Sequence, residues 1–360
     1  MRRLITTVFA LAAVSVLGGA VGLLVGGGGR PHGSLVTRST TTLRVPGGPP
    51  VTTTATGTVA TQPLVTLSTP TVTTPQDRLP GYGRPTVQLA DMNTPEQFVL
   101  GELYMSALRQ QGFSVSLSRN VGETAISQLA LKQRTLDIYP QYLNVWNRVV
   151  AHSNRRFASS RAAFAFASAY ARRHGFELLP ATPGADTPGF AVTSQFASEN
   201  GVHTLADLAH QPLLNFGIPI GFGGLWRAEQ AYGFKPATVR RVDTGSQYGA
   251  LLAGSIQVAY VNSTDPALAT TGFTLLRDPL HVYGFGNIVP VTTPAVIRAE
   301  GPVFVRTIER VDALLTTRAL RGLNDEVILK GHDPAIVAIN FLQGNGLMPA
   351  PIYVPAHSGS

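Results

Sequence analysis

The residues of this chain best suited to chemistry gather in TLDIYPQYLNVW (135–146). Asp137, Tyr139, Tyr142 and Trp146 crowd together there, and Pro140 bends the chain between the two tyrosines. Rings this close either fill a core or form a wall against a ligand. The catalytic alternatives fail one by one. The 8 histidines include no pair at i, i+4, so no helical metal site is written in them. No G-x-S-x-G elbow is present. GFGGLW (221–226) is glycine-rich and opens a helix whose first amides can hold an anion, but it lacks the Lys-Ser/Thr of a phosphate-binding loop. A tight turn is the plainer reading of those glycines. Glu96 and Glu102 are six apart and do not share a helix face as an acid–base pair. The chain reads as a binder and not as an enzyme, with no cofactor and no metal.

Composition narrows the class further. The 360 residues are 44% hydrophobic and 13% charged, enough for a sizeable core. There is no cysteine, which excludes disulfides, thiolate metal ligands and a lipidated cysteine in this chain. The net charge is +8, but the arginines are scattered and not interleaved with stacking aromatics, so nucleic acid is not the expected partner.

The elements that must position these residues follow from periodicity. Met1-Arg2-Arg3 and the uncharged run Leu4–Gly29 read as a signal peptide or membrane anchor, which sends the remainder out of the cytoplasm. Residues 34–80 are rich in Thr, Pro and Gly and read as a disordered tether. Extended, its roughly 45 residues at about 3.1 Å each reach on the order of 140 Å. The folded part alternates strand and helix. TVQLADM (86–92) and FSVSLS (113–118) are strands around a helix that Thr94 caps, with Pro95 at N1 and Gln97 completing a capping box. A helix follows at about 122–134, then another over Arg155–His174. Strands at 190–194, 213–219 and 256–261 alternate with helices ending near Gly233 and Gly254. Three more helices follow, the first with Pro302 near its start and the last capped by Asp333. The pattern predicts α/β layers with mainly parallel sheets.

Several of these segments together resemble the extracytoplasmic glycine betaine/choline-binding proteins of ABC importers, the osmoprotectant-uptake family. NTPEQFVLGEL (93–103) is similar to that family's N-F-T-E-Q-x-I-L opening. GETAISQLALKQRTLDIYPQY (122–142) resembles its D-x-Y-P-E-Y block. TLADLA (204–209), YGALLAGSIQVAYVNSTD (248–265) and the closing LNDEVILKGHDPAIVAINFLQGNGL follow in the family's order. The resemblance implies an α/β, two-lobed, periplasmic-binding-protein-like (type II) fold with hinge crossovers. Lobe one would hold 86–183 plus 292–355, and lobe two 184–291.

The resemblance also implies a ligand and a site. A quaternary ammonium has no N–H to donate, so aromatic faces hold it, each worth about 0.5–2 kcal/mol. Tyr142 and Tyr248 take the places of cage tyrosines, and Asp186 that of the residue facing the cation. Tyr283 or Phe285 would add a ring, Gln97 a polar contact, and Tyr139 a weaker one. Trp146 and Trp226 read as a packing residue and a surface residue. The family's three carboxylate donors and one further cage tyrosine are replaced here by Met92, Val145, Gly221 and Pro188. That loss favours a choline-like solute over a betaine-like one, unless Arg227 replaces the missing arginine. The expected role is capture in the cell envelope and delivery to an ABC permease in the membrane. A non-transporting envelope sensor or interaction domain on the same fold, with an altered or lost ligand, is the second reading.

Overall fold

The structure, a computed structural model, describes residues 35–43, 51–59, 79–222 and 224–349. The expected signal or anchor at 1–29 lies outside the described residues. Among the described residues, no helix is long and apolar enough to cross a membrane. Within the stretch expected to be a disordered tether, two strands form, β1 (Leu35–Leu43) and β2 (Val51–Val59). They pair antiparallel, with Leu35 opposite Val59 and Leu43 opposite Val51. The Thr and Val that argue against a packed core are also strand formers.

From Leu79 the chain builds a second unit. β3 (Val87–Ala90) runs through α1 (Pro95–Gln110) into β4 (Val115–Ser118), and α2 (Thr124–Gln133) into β5 (Tyr139–Tyr142). A single turn, α3 (Leu143–Val145), continues as a π-helical turn over Trp146–Val150. α4 (Ser160–Arg173) and β6 (Glu177–Leu178) follow. The next stretch holds β7 (Pro188–Thr193), α5 (Ser194–Asn200), β8 (Asn215–Pro219), α6 (Leu225–Tyr232) and β9 (Thr238–Val242). It continues with α7 (Gln247–Leu252), β10 (Val258–Asn262) and β11 (Phe273–Leu275). β12 (Ile288–Thr292), α8 (Pro294–Asp312), α9 (Thr317–Asn324) and α10 (Pro334–Gly344) complete it.

β7 to β11 form one five-stranded sheet in the order β11-β7-β10-β8-β9. β12 lies between β5 and β6, and a bridge from Leu89 to Ile138 attaches the β3–β4 pair beside β5. The expectation of mainly parallel sheets is corrected. β8 is parallel to β9 and β10, but β7 is antiparallel to β10 and β11, and β12 is antiparallel to β5 and β6. The cause is the crossover. The chain leaves the first sheet after β6 and returns as β12, which inserts head-to-tail between β5 and β6.

The two crossing segments are laced together. The Thr182 amide donates to the Ile288 carbonyl at 2.9 Å, and the Asp186 amide to the Gly286 carbonyl at 2.9 Å. The Asn287 side chain donates to the Thr182 and Gly184 carbonyls at 2.9 and 3.2 Å. The approach leaves no room at Gly286, where a Cβ would lie 1.7 Å from the Asp186 carbonyl oxygen.

Caps set where the helices begin. Thr94 Oγ1 accepts from the Gln97 amide at 3.3 Å, as the spacing predicts. Only half of the expected capping box forms, because the Gln97 side chain is buried without a hydrogen-bond partner instead of reaching back. α4 starts at Ser160 and not at Arg155, because Ser159 Oγ accepts from the Ala162 amide at 3.2 Å. One core packs α1 against α8, α9 and α10, and the Tyr104 hydroxyl donates to Asp312 Oδ1 at 2.6 Å inside it. A second core covers one face of the five-stranded sheet, and a smaller one covers the other.

Candidate functional site

The site grows from the first turn of α1. The cap places Glu96 and Gln97 at the buried helix start, facing the end of β5. The Tyr142 hydroxyl donates to Glu96 Oε1 at 2.8 Å. Asn324, at the end of α9, donates to Glu96 Oε2 at 2.7 Å and to the Thr264 carbonyl at 3.1 Å. Thr264 belongs to the loop after β10, so this amide ties the two sheets together. Asp186, on the first crossing segment, completes the group, and its Oδ1 is buried with no partner among the described residues. Next to Thr264, Asp265 accepts from the Tyr248 hydroxyl at 2.7 Å and the Asn262 amide at 3.2 Å.

Three carboxyls therefore meet where the sheets meet. Burial pushes Glu96 above the usual carboxylate range, against the pull of bonds from Asn324, Thr264 and Tyr142. Burial pushes Asp186 well above it, and the neighbouring Glu96 and Asp265 carboxyls add to the rise. Burial raises Asp265 too. Among the described residues no ion pair involves any of the three. The nearest guanidinium, Arg321, is held by the Ser263 and Leu268 carbonyls at 2.8 and 3.2 Å. Buried carboxyls without a cation either keep their protons or take a cation from outside.

Rings stand beside the acids. Tyr260, on β10, lies near enough to Asp186 for that carboxyl to raise its phenol further after burial has done so. Phe222 stacks on Tyr260 at 3.8 Å between ring centres and reaches Tyr283 at 6.1 Å. The Tyr283 hydroxyl donates to the Gly224 carbonyl at 3.1 Å, and a Cβ on Gly224 would come within 2.8 Å of the Phe222 ring. Gly224 of GFGGLW thus supports a ring.

The expected residues divide. Tyr142, Asp186 and Gln97 come together, and Gln97 is fully buried with both amide atoms unpartnered. Tyr248 reaches the acids only by its hydroxyl; its ring packs edge-on to Phe273 at 4.9 Å in the smaller core of the five-stranded sheet. Tyr283 and Phe285 line a cavity of about 390 Å³ that Asn144 also lines and Tyr142 does not. Tyr139 is a correction. It is fully buried in the core with Trp146 and Leu143, three residues from Tyr142 on a strand and so on its opposite side. Trp146 packs edge-on to Phe176 at 5.8 Å and Trp226 is 53% exposed, as expected of packing and surface residues. Sequence reasoning missed Glu96, Asn324, Asp265, Tyr260 and Phe222. The STD triplet (263–265) was visible as a motif, but not the carboxyl it would bring to Glu96 and Asp186.

Residues 85–344 match the family described as the substrate binding domain of ABC-type glycine betaine transport system. The glycine betaine-binding protein YehZ of Escherichia coli is 26% identical over 74% of this chain and 93% of its own. The carnitine transport binding protein OpuCC of Listeria monocytogenes is 23% identical over 74% and 90%. A crystal structure of a glycine betaine/carnitine/choline ABC transporter superposes with a TM-score of 0.66 at 24% identity, covering 72% of this chain and 99% of the other. The fold is that of the type II periplasmic binding proteins.

Proposed function

Because the chain belongs to the family of substrate-binding domains of ABC-type glycine betaine transport systems, we propose that it captures a solute with a quaternary ammonium head. The observation that carries this reading is the group Glu96, Asp186 and Asp265, gathered beside tyrosines with no ion pair to any of them among the described residues. The head would sit against Asp186 and the faces of Tyr142 and Tyr260, its methyl groups excluding water. An amide such as Gln97, with donor and acceptor both unused, suits a hydroxyl or carboxyl on the same solute.

Capture would use the two lobes, 86–183 with 292–355 and 184–291. The acids come from both, so a cation between them binds the closed arrangement better and shifts the population toward it. The closed form would then dock on a permease outside the cytoplasm. Residues 1–29 as signal or anchor and 34–80 as tether would keep it near that permease.

Calorimetric titration of the full-length chain with choline and with glycine betaine tests the reading. Saturable binding of either, abolished by Asp186→Asn, is expected. Absence of binding by both, and by carnitine, overturns it.

A further inference from the structure

The cavity of about 390 Å³ that Tyr283 lines carries the charge opposite to that of the acids. Arg148, from the π-helical turn after β5, and Arg227, from α6, line it together with Arg155 and Arg156. None of the four guanidinium groups makes a hydrogen bond or ion pair among the described residues. Arg155 and Arg156 are exposed, but Arg148 and Arg227 are half-buried and come from the two different sheets' elements. Burial lowers the Arg148 pKa, and Arg227 lowers it further. The Arg227 guanidinium also lies 5.4 Å from the centre of the Trp226 ring. Two arginines that line one cavity, the one lowering the other's pKa, are relieved by an anion held between them.

We propose that this cavity seats a phosphoryl group carried by the captured solute, so that the solute class is a phosphate ester of a quaternary ammonium alcohol. The inference rests on the cationic head being held as proposed above. Charge decides between a carboxylate and a phosphate. One carboxylate neutralises one arginine, whereas a phosphate monoester carries about −1.5 to −2 at neutral pH and offers three oxygens. Arginine forks match those oxygens two at a time. The volume lies at the small end of the roughly 300–1,000 Å³ typical of small-molecule pockets, ample for a phosphate. Tyr283 lines the cavity and its ring lies 6.1 Å from Phe222, which stacks on Tyr260. Tyr260 in turn lies near enough to feel both the Asp186 carboxyl and the Arg148 guanidinium, which links the two charged groups. Asn147 adds a buried, unpartnered Oδ1 beside it, which accepts from a protonated phosphate oxygen.

The test compares choline, phosphocholine and inorganic phosphate on the full-length chain by calorimetry at low salt. Phosphocholine should bind about 10- to 100-fold more tightly than choline, the effect of one or two charge-assisted hydrogen bonds. In the double variant Arg148→Gln, Arg227→Gln that ratio should fall to about one. On the unaltered chain, inorganic phosphate at millimolar concentration should weaken phosphocholine binding and not choline binding, a result that needs no variant to fold. Equal affinity for choline and phosphocholine overturns the phosphoryl seat and leaves the cationic head standing. Binding of inorganic phosphate that depends on Arg148 and Arg227, with no binding of either amine, upholds the seat and overturns the head. No binding by any of the three overturns both.

Discussion

Two charged groups of the molecule, the acids and the arginines, are built on opposite plans. At one end Glu96 is buried and Asp186 and Asp265 are half-buried, with Tyr142 and Tyr248 as hydrogen-bond donors and no ion pair to any of the three among the described residues. At the other end Arg148 and Arg227 line an open cavity with no carboxylate in contact. A protein that only needed to hold its halves together would pair these charges with each other. Keeping like charges apart in two groups costs stability, because each lacks its counter-ion. Such an arrangement is explained when the counter-ions arrive together on one solute. The acidic end lies among aromatic rings, which suits a soft cation, whereas the basic end is half-exposed.

The sharpest way to break this contrast is to remove charge from the acidic end. Asp186→Asn keeps shape and hydrogen-bonding capacity but cannot ionise. Loss of one partner from a buried charge pair costs about 2–5 kcal/mol, so choline affinity should drop roughly 100-fold or more by calorimetry. A drop below threefold would mean that Asp186 does not face the cation, and the acidic end would lose its meaning.

Much of this arrangement is legible in the sequence, and the missing part has a physical pattern. Thr94 and Pro95 announce where α1 starts, and the strand alternation separates Tyr139 from Tyr142, although proximity alone kept both in view. Glu96 was seen only as half of a failed helical pair. Its partners, Asn324 and Thr264, are contributed from 228 and 168 positions away along the chain. Nothing local in sequence announces a contact of that span. Tyr248 misled for a related reason. Its position in the motif is sound, but whether a tyrosine gives its face or its hydroxyl depends on Phe273, which only β11 brings near. The strands β9 and β12 were also missed, since TVRRV reads as a charged surface and the IVPVT run carries a proline.

A middle-sized effect concerns protons. Burial and mutual repulsion hold Glu96 and Asp186 above their usual range, so the empty protein keeps protons that the unfolded chain releases. The stability these groups contribute is therefore present at acid pH and lost as pH rises through their raised folded values. A bound cation reverses the balance and expels a proton. Choline affinity should increase with pH by up to tenfold per unit while the carboxyls of the empty site are still protonated. Calorimetry in buffers of different ionisation enthalpy reads the released proton directly. Heats that do not depend on the buffer would show that the acids are already ionised and already paired.

The smallest effect sharpens the comparison within the acidic end, between its two phenols. Tyr142→Phe keeps the ring but removes the donor to Glu96 Oε1, and Tyr248→Phe keeps the ring but removes the donor to Asp265. Each leaves a buried carboxyl oxygen short of a partner, which costs about 1–3 kcal/mol of fold stability. Their effects on choline should differ. Tyr142 presents its ring next to Asp186 and loses only orientation, so affinity should fall by a few-fold. The Tyr248 ring is already spent on Phe273, so affinity should stay within about twofold while the melting temperature drops. If Tyr248→Phe weakened choline more than Tyr142→Phe, the cation would lie nearer Asp265 than Asp186, and the head would have to be placed on the far side of Thr264.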